Sequence, residues 1–218
     1  MERTTMKVPK HRHYYNGLRN HWLGRHCKKL TAVFISESPP ESGRYFYCVR
    51  RHESEKVDCS ILGGSPLAKS LFQVAYNDPG CNQIEEMGKK TKLGRFSENF
   101  ALIDLDENLS GLGNRTSRQM AERTLARIES IVEEHPHARQ ILVFNALPDR
   151  KSCSAWIELC RELGHRDGFT IIDRDNCKFR VRKKLGNLEH YKSICGGPQG
   201  RKEKTRMSWV EDAIGILH

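Results

Sequence analysis

The sequence predicts an α/β protein, with three layers (α/β/α) around a mostly parallel, four-stranded central sheet. Three observations carry this. Short apolar runs at 32–35, 100–106, 140–145 and 169–173 have the length and character of buried strands. Segments with apolar residues at helical spacing separate them. The connections are short, as crossovers between parallel strands require. At 218 residues, one domain with one real core is expected.

The elements follow in order. Tyr15, Leu18, Trp22 and His26 recur at helical spacing, which predicts an amphipathic helix over 14–29 with a basic outer face. The first strand, Ala32-Val33-Phe34-Ile35, runs into Ser36-Glu37-Ser38-Pro39-Pro40, where the two prolines stop it. Residues 48–62 are polar and unpatterned. Ser65-Pro66 opens a helix with Leu67, Leu71 and Val74 or Ala75 as its apolar face, ended by Asn77-Asp78-Pro79-Gly80. Residues 80–98, rich in Gly and Lys, read as a long loop with at most one helical turn. The second strand ends in Asp104 and Asp106. Thr116-x-x-Gln119 is a capping-box signature, and the helix behind it carries Leu125, Ile128, Ile131 and Val132 until His135-Pro136. The third strand ends at Asn145. A helix with Trp156, Leu159, Cys160 and Leu163 then leads to the fourth strand, which closes on Asp173. The last helix, over 205–217, buries Val210, Ile214 and Leu217.

Composition narrows the partners. The formal charge is +10 and the pI about 9.3, which favours a polyanion, most simply nucleic acid. The first 29 residues hold eight Lys and Arg against one Glu, and residues 178–206 hold ten against two. No apolar run reaches the roughly 20 residues that span a bilayer, and the N-terminus lacks the apolar core of a signal peptide. A cytoplasmic protein without membrane contact is expected. The eight cysteines include no CxxC pair, so buried thiols are expected rather than a zinc site.

The first strand end is the candidate site. In α/β sheets, ligands bind outside the carboxyl ends of the strands. Glu37 stands there, and Arg44, Tyr45, Phe46 and Tyr47 follow the Pro turn and Gly43. The three aromatics suit stacking on a flat ligand; they equally suit a core cluster. Glu37 has little structural reason to stand between a buried strand and a Pro-Pro turn. A second backbone-rich loop, 193–201, contains Gly196, Gly197, Gln199 and Arg201, with Lys202 following. It can approach a phosphodiester closely, with cations on both sides.

Over about residues 30–200, the order of these pieces resembles the uracil-DNA glycosylase superfamily. Several of its branches end the first strand in a Gly-Glu-Ala-Pro-Gly type motif followed by a base-stacking aromatic; here Ser36-Glu37-Ser38-Pro39-Pro40 takes that place and Phe46 matches the aromatic. The iron–sulfur branch next has a strand ending near a base-reading Asn and an Asn-Arg-Thr-Pro loop. Asp104-Leu105-Asp106-Glu107-Asn108 and Gly113-Asn114-Arg115-Thr116-Ser117 stand there. The superfamily's second loop, often His-Pro-Ser, corresponds to 193–201, which lacks the histidine; His190 is the nearest substitute. The cluster cysteines are absent, so no iron–sulfur cluster, metal or other cofactor is expected.

The resemblance implies a monofunctional glycosylase that flips a base from DNA and hydrolyses its N-glycosidic bond, leaving an abasic site. Glu37, with Ser36 beside it, would be catalytic: the carboxylate orients and deprotonates water or stabilises an oxocarbenium-like sugar. Phe46, Tyr45 or Tyr47 would stack on the base, and Asp104, Asp106 or Asn108 would read its edge. Ser38, Arg44, Asn114, Arg115, Gly196, Gly197, Gln199, Arg201 and Lys202 would hold DNA. An Asp accepts hydrogen bonds and so favours the amino group of a cytosine-like base, which points away from plain uracil toward a modified pyrimidine. The substrate class the resemblance implies is uracil or a modified cytosine, including those of phage DNA, in repair or antiviral defence. A monomer is expected. Two other readings remain open: a non-catalytic nucleic-acid-binding protein on the same fold, and a nuclease binding Mg²⁺ through Glu37, Asp104 and Asp106.

Overall fold

The computed structural model describes residues 12–36, 46–47, 66–84, 87–105, 116–138, 140–143, 150–166, 168–174, 181–195 and 202–218. In chain order these form α1 (Arg12–His26), β1 (Ala32–Ser36), α2 (Pro66–Tyr76), α3 (Lys89–Asn99), β2 (Phe100–Asp104), α4 (Ser117–Glu134), β3 (Gln140–Val143), α5 (Arg150–Gly164), β4 (Thr170–Arg174), β5 (Tyr191–Ile194) and α6 (Glu203–Leu217). A helical turn at 181–185 precedes β5.

The protein is α/β. The described strands form one sheet in the order β2-β1-β3-β4-β5, and every pairing is parallel. The described part of the sheet therefore has five strands where the sequence predicts four. The added strand, Tyr191-Lys192-Ser193-Ile194, lies at an edge, and only Ile194 is fully buried. Its half-polar pattern gives no apolar run to detect.

Side chains alternate across a strand, and β1 shows both faces in use. Val33 and Ile35 join Ala101, Ile103 and Ile171 under α4 and α5, with Met120, Ile128, Trp156 and Leu159 above them. Ala32 and Phe34 join Leu102 and Ile172 on the other face, against Leu71 of α2, Phe96 of α3 and Trp209 of α6. α1 serves both cores, with Leu23 in the first and Trp22 in the second. It thus lies along the β2 edge and shields it.

Local chemistry sets the ends of the helices. Pro66 is the first residue of α2, where its missing N–H costs nothing. Asn77 ends α2 in the left-handed region at φ 52°. The Asp78 amide then donates to Gln73 O at 2.9 Å and the Asn77 amide to Val74 O at 3.0 Å, the two bonds of a Schellman motif. At α4, the Thr116 hydroxyl accepts from the Gln119 amide while the Gln119 side chain accepts from the Thr116 amide. That is the capping box the sequence predicts.

Residues 89–99 depart from expectation: they form α3, not a loop. The buried residues of α3 are Lys89, Leu93, Gly94, Phe96 and Ser97, a helical stripe in which only two members are large and apolar. Gly94 is small because α1 lies against it. A Cβ there would stand 3.3 Å from Nδ1 of His26, so the glycine that reads as a loop signal is a helix-packing contact.

Opposite α3, the carboxylate of Asp173, one residue before the end of β4, is fully buried. Its Oδ2 accepts from Trp156 Nε1 at 2.7 Å and from the Tyr191 hydroxyl at 2.5 Å. One acid thus ties α5, β4 and β5 together. Cys27, Cys81, Cys160 and Cys195 form no disulfide, and burial pushes the Cys27 thiol up from its ordinary pKa. Among the described residues no helix is long and apolar enough to cross a membrane.

Hydrogen bonds to a charged group are worth about 1.5–3 kcal/mol. Tyr191→Phe removes only the hydroxyl and should destabilise the fold by about that much, read as a lower urea midpoint with an unchanged m-value.

Candidate functional site

In a doubly wound parallel sheet the binding crevice opens where the strand order reverses, outside the carboxyl ends. Here the reversal falls between β1 and β3, because β2 lies on one side of β1 and β3 to β5 on the other. The last residue of β1 is Ser36, in register with Asp104, the last of β2. The sequence continues from Ser36 directly into Glu37.

The Ser36 hydroxyl donates to Asp104 Oδ1, and both residues are buried, at 5% and 3% exposure. The ladder continues one step further, since the Leu105 amide donates to Ser36 O at 2.7 Å. α4 holds the exit of β2 from the other face. Arg127 Nη2 donates to Asp104 O at 2.6 Å, and Thr124 Oγ1 donates to Leu105 O at 3.2 Å. The ends of β1 and β2 are therefore pinned by side chain and backbone together. The geometry gives Ser36 and Asp104 to each other, in a pair that fixes where the chain leaves β1, rather than opening either toward a ligand.

Tyr47 takes the β2 edge. In a parallel pair alternate amides point away from the neighbour, and the outward amide of Leu102 donates to the Tyr47 hydroxyl at 2.7 Å. The Tyr47 carbonyl accepts from Trp22 Nε1 at 3.0 Å. Burial pushes the phenol far above its ordinary pKa, against the lowering effects of the Leu102 amide and the Arg19 charge; Asp104 adds to the rise. Tyr47 has no exposed surface. It is a core residue, and the expectation that it could stack on a base is corrected on that ground.

Phe46 is only half-buried. It stacks on Phe72 at a ring separation of 5.3 Å and meets Phe96 edge-on at 4.9 Å. Phe46 is thus held by an aromatic cluster while keeping part of its surface exposed. Lys202 precedes α6 in extended conformation and is exposed.

His190 is corrected as well. It stands immediately before β5, where its carbonyl accepts from the Ile171 amide at 2.8 Å, while the Gly loop follows the other end of that strand. Four strand residues span about 13 Å, so His190 belongs to the wrong end of the sheet to serve as the missing loop histidine. Ser193 and Ile194, read from the sequence as the start of that loop, belong to β5. Glu37, Ser38, Arg44, Tyr45, Asp106, Asn108, Asn114, Arg115, Gly196, Gly197, Gln199 and Arg201 lie outside the described residues.

Sequence reasoning missed two residues here. Arg127 is buried at 7% exposure, and its signal was an arginine inside the apolar face of a helix. Arg19 is buried at 5%, hidden among the surface-type cations of α1.

Tyr47→Phe would leave the Leu102 amide buried without its acceptor, a loss of about 1–3 kcal/mol. Thermal unfolding should show a lower midpoint, and hydrogen exchange at Leu102 should quicken relative to the β1 amides. No protein-family model matches the chain, and neither a curated protein nor a solved structure matches it.

Proposed function

We propose that the chain is a monofunctional DNA glycosylase, resembling the uracil-DNA glycosylase superfamily, that excises uracil or a modified cytosine-type base. One observation carries this reading. An internal strand of an all-parallel sheet, β1, ends at the strand-order reversal in a side chain pinned to the neighbouring strand, and the next residue in the sequence is Glu37. A carboxylate that must meet a sugar carbon needs a rigid origin, because small misplacements of a catalytic group are costly.

On this reading Glu37 orients and deprotonates the attacking water, or stabilises the oxocarbenium-like sugar as the base departs. Phe46 offers the stacking surface, and such stacking is worth about 1–3 kcal/mol per base. The partial burial of Phe46, braced by Phe72 and Phe96, supports that role for Phe46 over Tyr47, which is fully buried. Asp104 becomes a positioning residue acting through Ser36, so reading of the base edge falls to Asp106 and Asn108. The formal charge of +10 supports DNA as the partner.

The test is incubation in EDTA with duplex and single-stranded DNA carrying uracil, hypoxanthine, mismatched thymine, hydroxymethylcytosine or its glucosylated form, followed by alkali. The expected result is alkali-dependent cutting of one substrate. Glu37→Ala should lower it by about 100-fold or more while DNA binding persists. Binding with no abasic product would replace the proposal with a non-catalytic DNA-binding role. Cutting that appears only with Mg²⁺ would replace it with a nuclease.

A further inference from the structure

We propose that α1 and α3 form a second nucleic-acid contact surface, a basic ridge along the β2 edge that binds the phosphate backbone of duplex DNA. From Arg19 through Lys29 and across α3 the chain carries eight Lys and Arg and one carboxylate, Glu98. That is a net charge of +7 within a total of +10. Arg25, Lys28, Lys29, Lys90 and Arg95 are exposed and Lys92 is half-exposed.

The fold gathers these cations onto one surface. α1 lies close against α3 at Gly94, under the His26 ring. The chain after α1 is tied to the end of α3 by the Lys28 and Lys29 amides, which donate to Glu98 O at 2.9 and 3.1 Å. Glu98 also receives Lys28 Nζ at 3.3 Å and Arg95 Nη1 at 2.7 Å. Burial acts to raise the Glu98 carboxyl, but these two cations outweigh it and hold the pKa below its ordinary value. One carboxylate thus anchors two cations of the ridge.

Helix stability does not account for the pattern. Lys89, Lys90 and Lys92 open α3, which has no acidic residue in its first turn and no side-chain cap. That is the end of a helix where cations are least favourable. A charge placed against a local preference indicates another demand on it.

The chemistry favours a phosphate backbone over a lipid surface. A helix that lies in a membrane exposes an apolar face. Here Trp22, Leu23, Leu93 and Phe96 are all buried, and the exposed positions of α1 from Gly17 onward and of α3 are glycine or polar. The ridge requires no base excision and stands apart from the glycosylase reading.

The experiment is fluorescence anisotropy with a labelled duplex of ordinary bases, followed across a sodium chloride titration. Arg25→Gln, Lys90→Gln and Lys92→Gln are combined; none of the three side chains forms a hydrogen bond or ion pair among the described residues. Each phosphate contact contributes about 0.9 to the slope of log K against log salt. The triple variant should therefore lose roughly 2.7 units of slope while its circular dichroism matches the wild type. Glu98→Gln should act in the opposite direction and strengthen binding, which a merely disrupted helix pair would not do. A triple variant of wild-type slope overturns the proposal. So does Lys- and Arg-dependent binding to phosphatidylserine vesicles with the duplex slope unchanged, which would make the ridge a lipid contact. Glu37→Ala should keep the wild-type slope, so failure of the ridge and failure of the glycosylase reading are read separately.

Discussion

The enclosure of β1 sets the terms for everything around it. β1 is paired on both edges, with β2 and β3, and covered on both faces by the two cores. All five of its residues are buried. A strand so enclosed meets water only at its ends, so polar residues accumulate where it stops. Ser36 donates to Asp104 there, and Arg127 and Thr124 hold the neighbouring carbonyls. Buried polar groups are tolerated when partnered, and the partners here come from β1, β2 and α4. The same constraint fixes the candidate site, because nothing earlier in β1 can reach a ligand.

The enclosure also explains which parts of the fold were legible in sequence. β1 and β2 stand out because buried parallel strands are continuous apolar runs. Thr116 with Gln119, and Asn77 after α2, stand out because end signals are local chemistry. α3 was hidden because its buried stripe includes Lys89, Gly94 and Ser97, residue types demanded by the approach of α1 and invisible without it. β5 was hidden because an edge strand needs only one buried residue in four. At the site, the position of Glu37 past a buried strand was legible. The division of labour among the aromatics was not: which of Phe46 and Tyr47 enters the core depends on an edge amide, that of Leu102, far away in sequence.

The two faces of the sheet differ in surface charge. α4, α5 and the turn after α5 mix acid and base, with exposed pairs such as Arg118–Glu122 and Arg166–Glu129, each worth little to stability. On the other side, α3 and the residues leading from α1 concentrate cations around Glu98. The basic surplus of the described helices is therefore a property of one side of the molecule, and that side adjoins the β2 edge, where Tyr47 and Trp22 close the sheet.

The strand order has a consequence for synthesis. Among the described strands β1 is the first to leave the ribosome, yet its two partners begin at Phe100 and Gln140. During that interval Ala32-Val33-Phe34-Ile35 is an apolar segment with both edges unpaired, the kind of stretch that seeds intermolecular pairing. Lys28 and Lys29, which stand just before it, are the residue type that guards such a segment by charge.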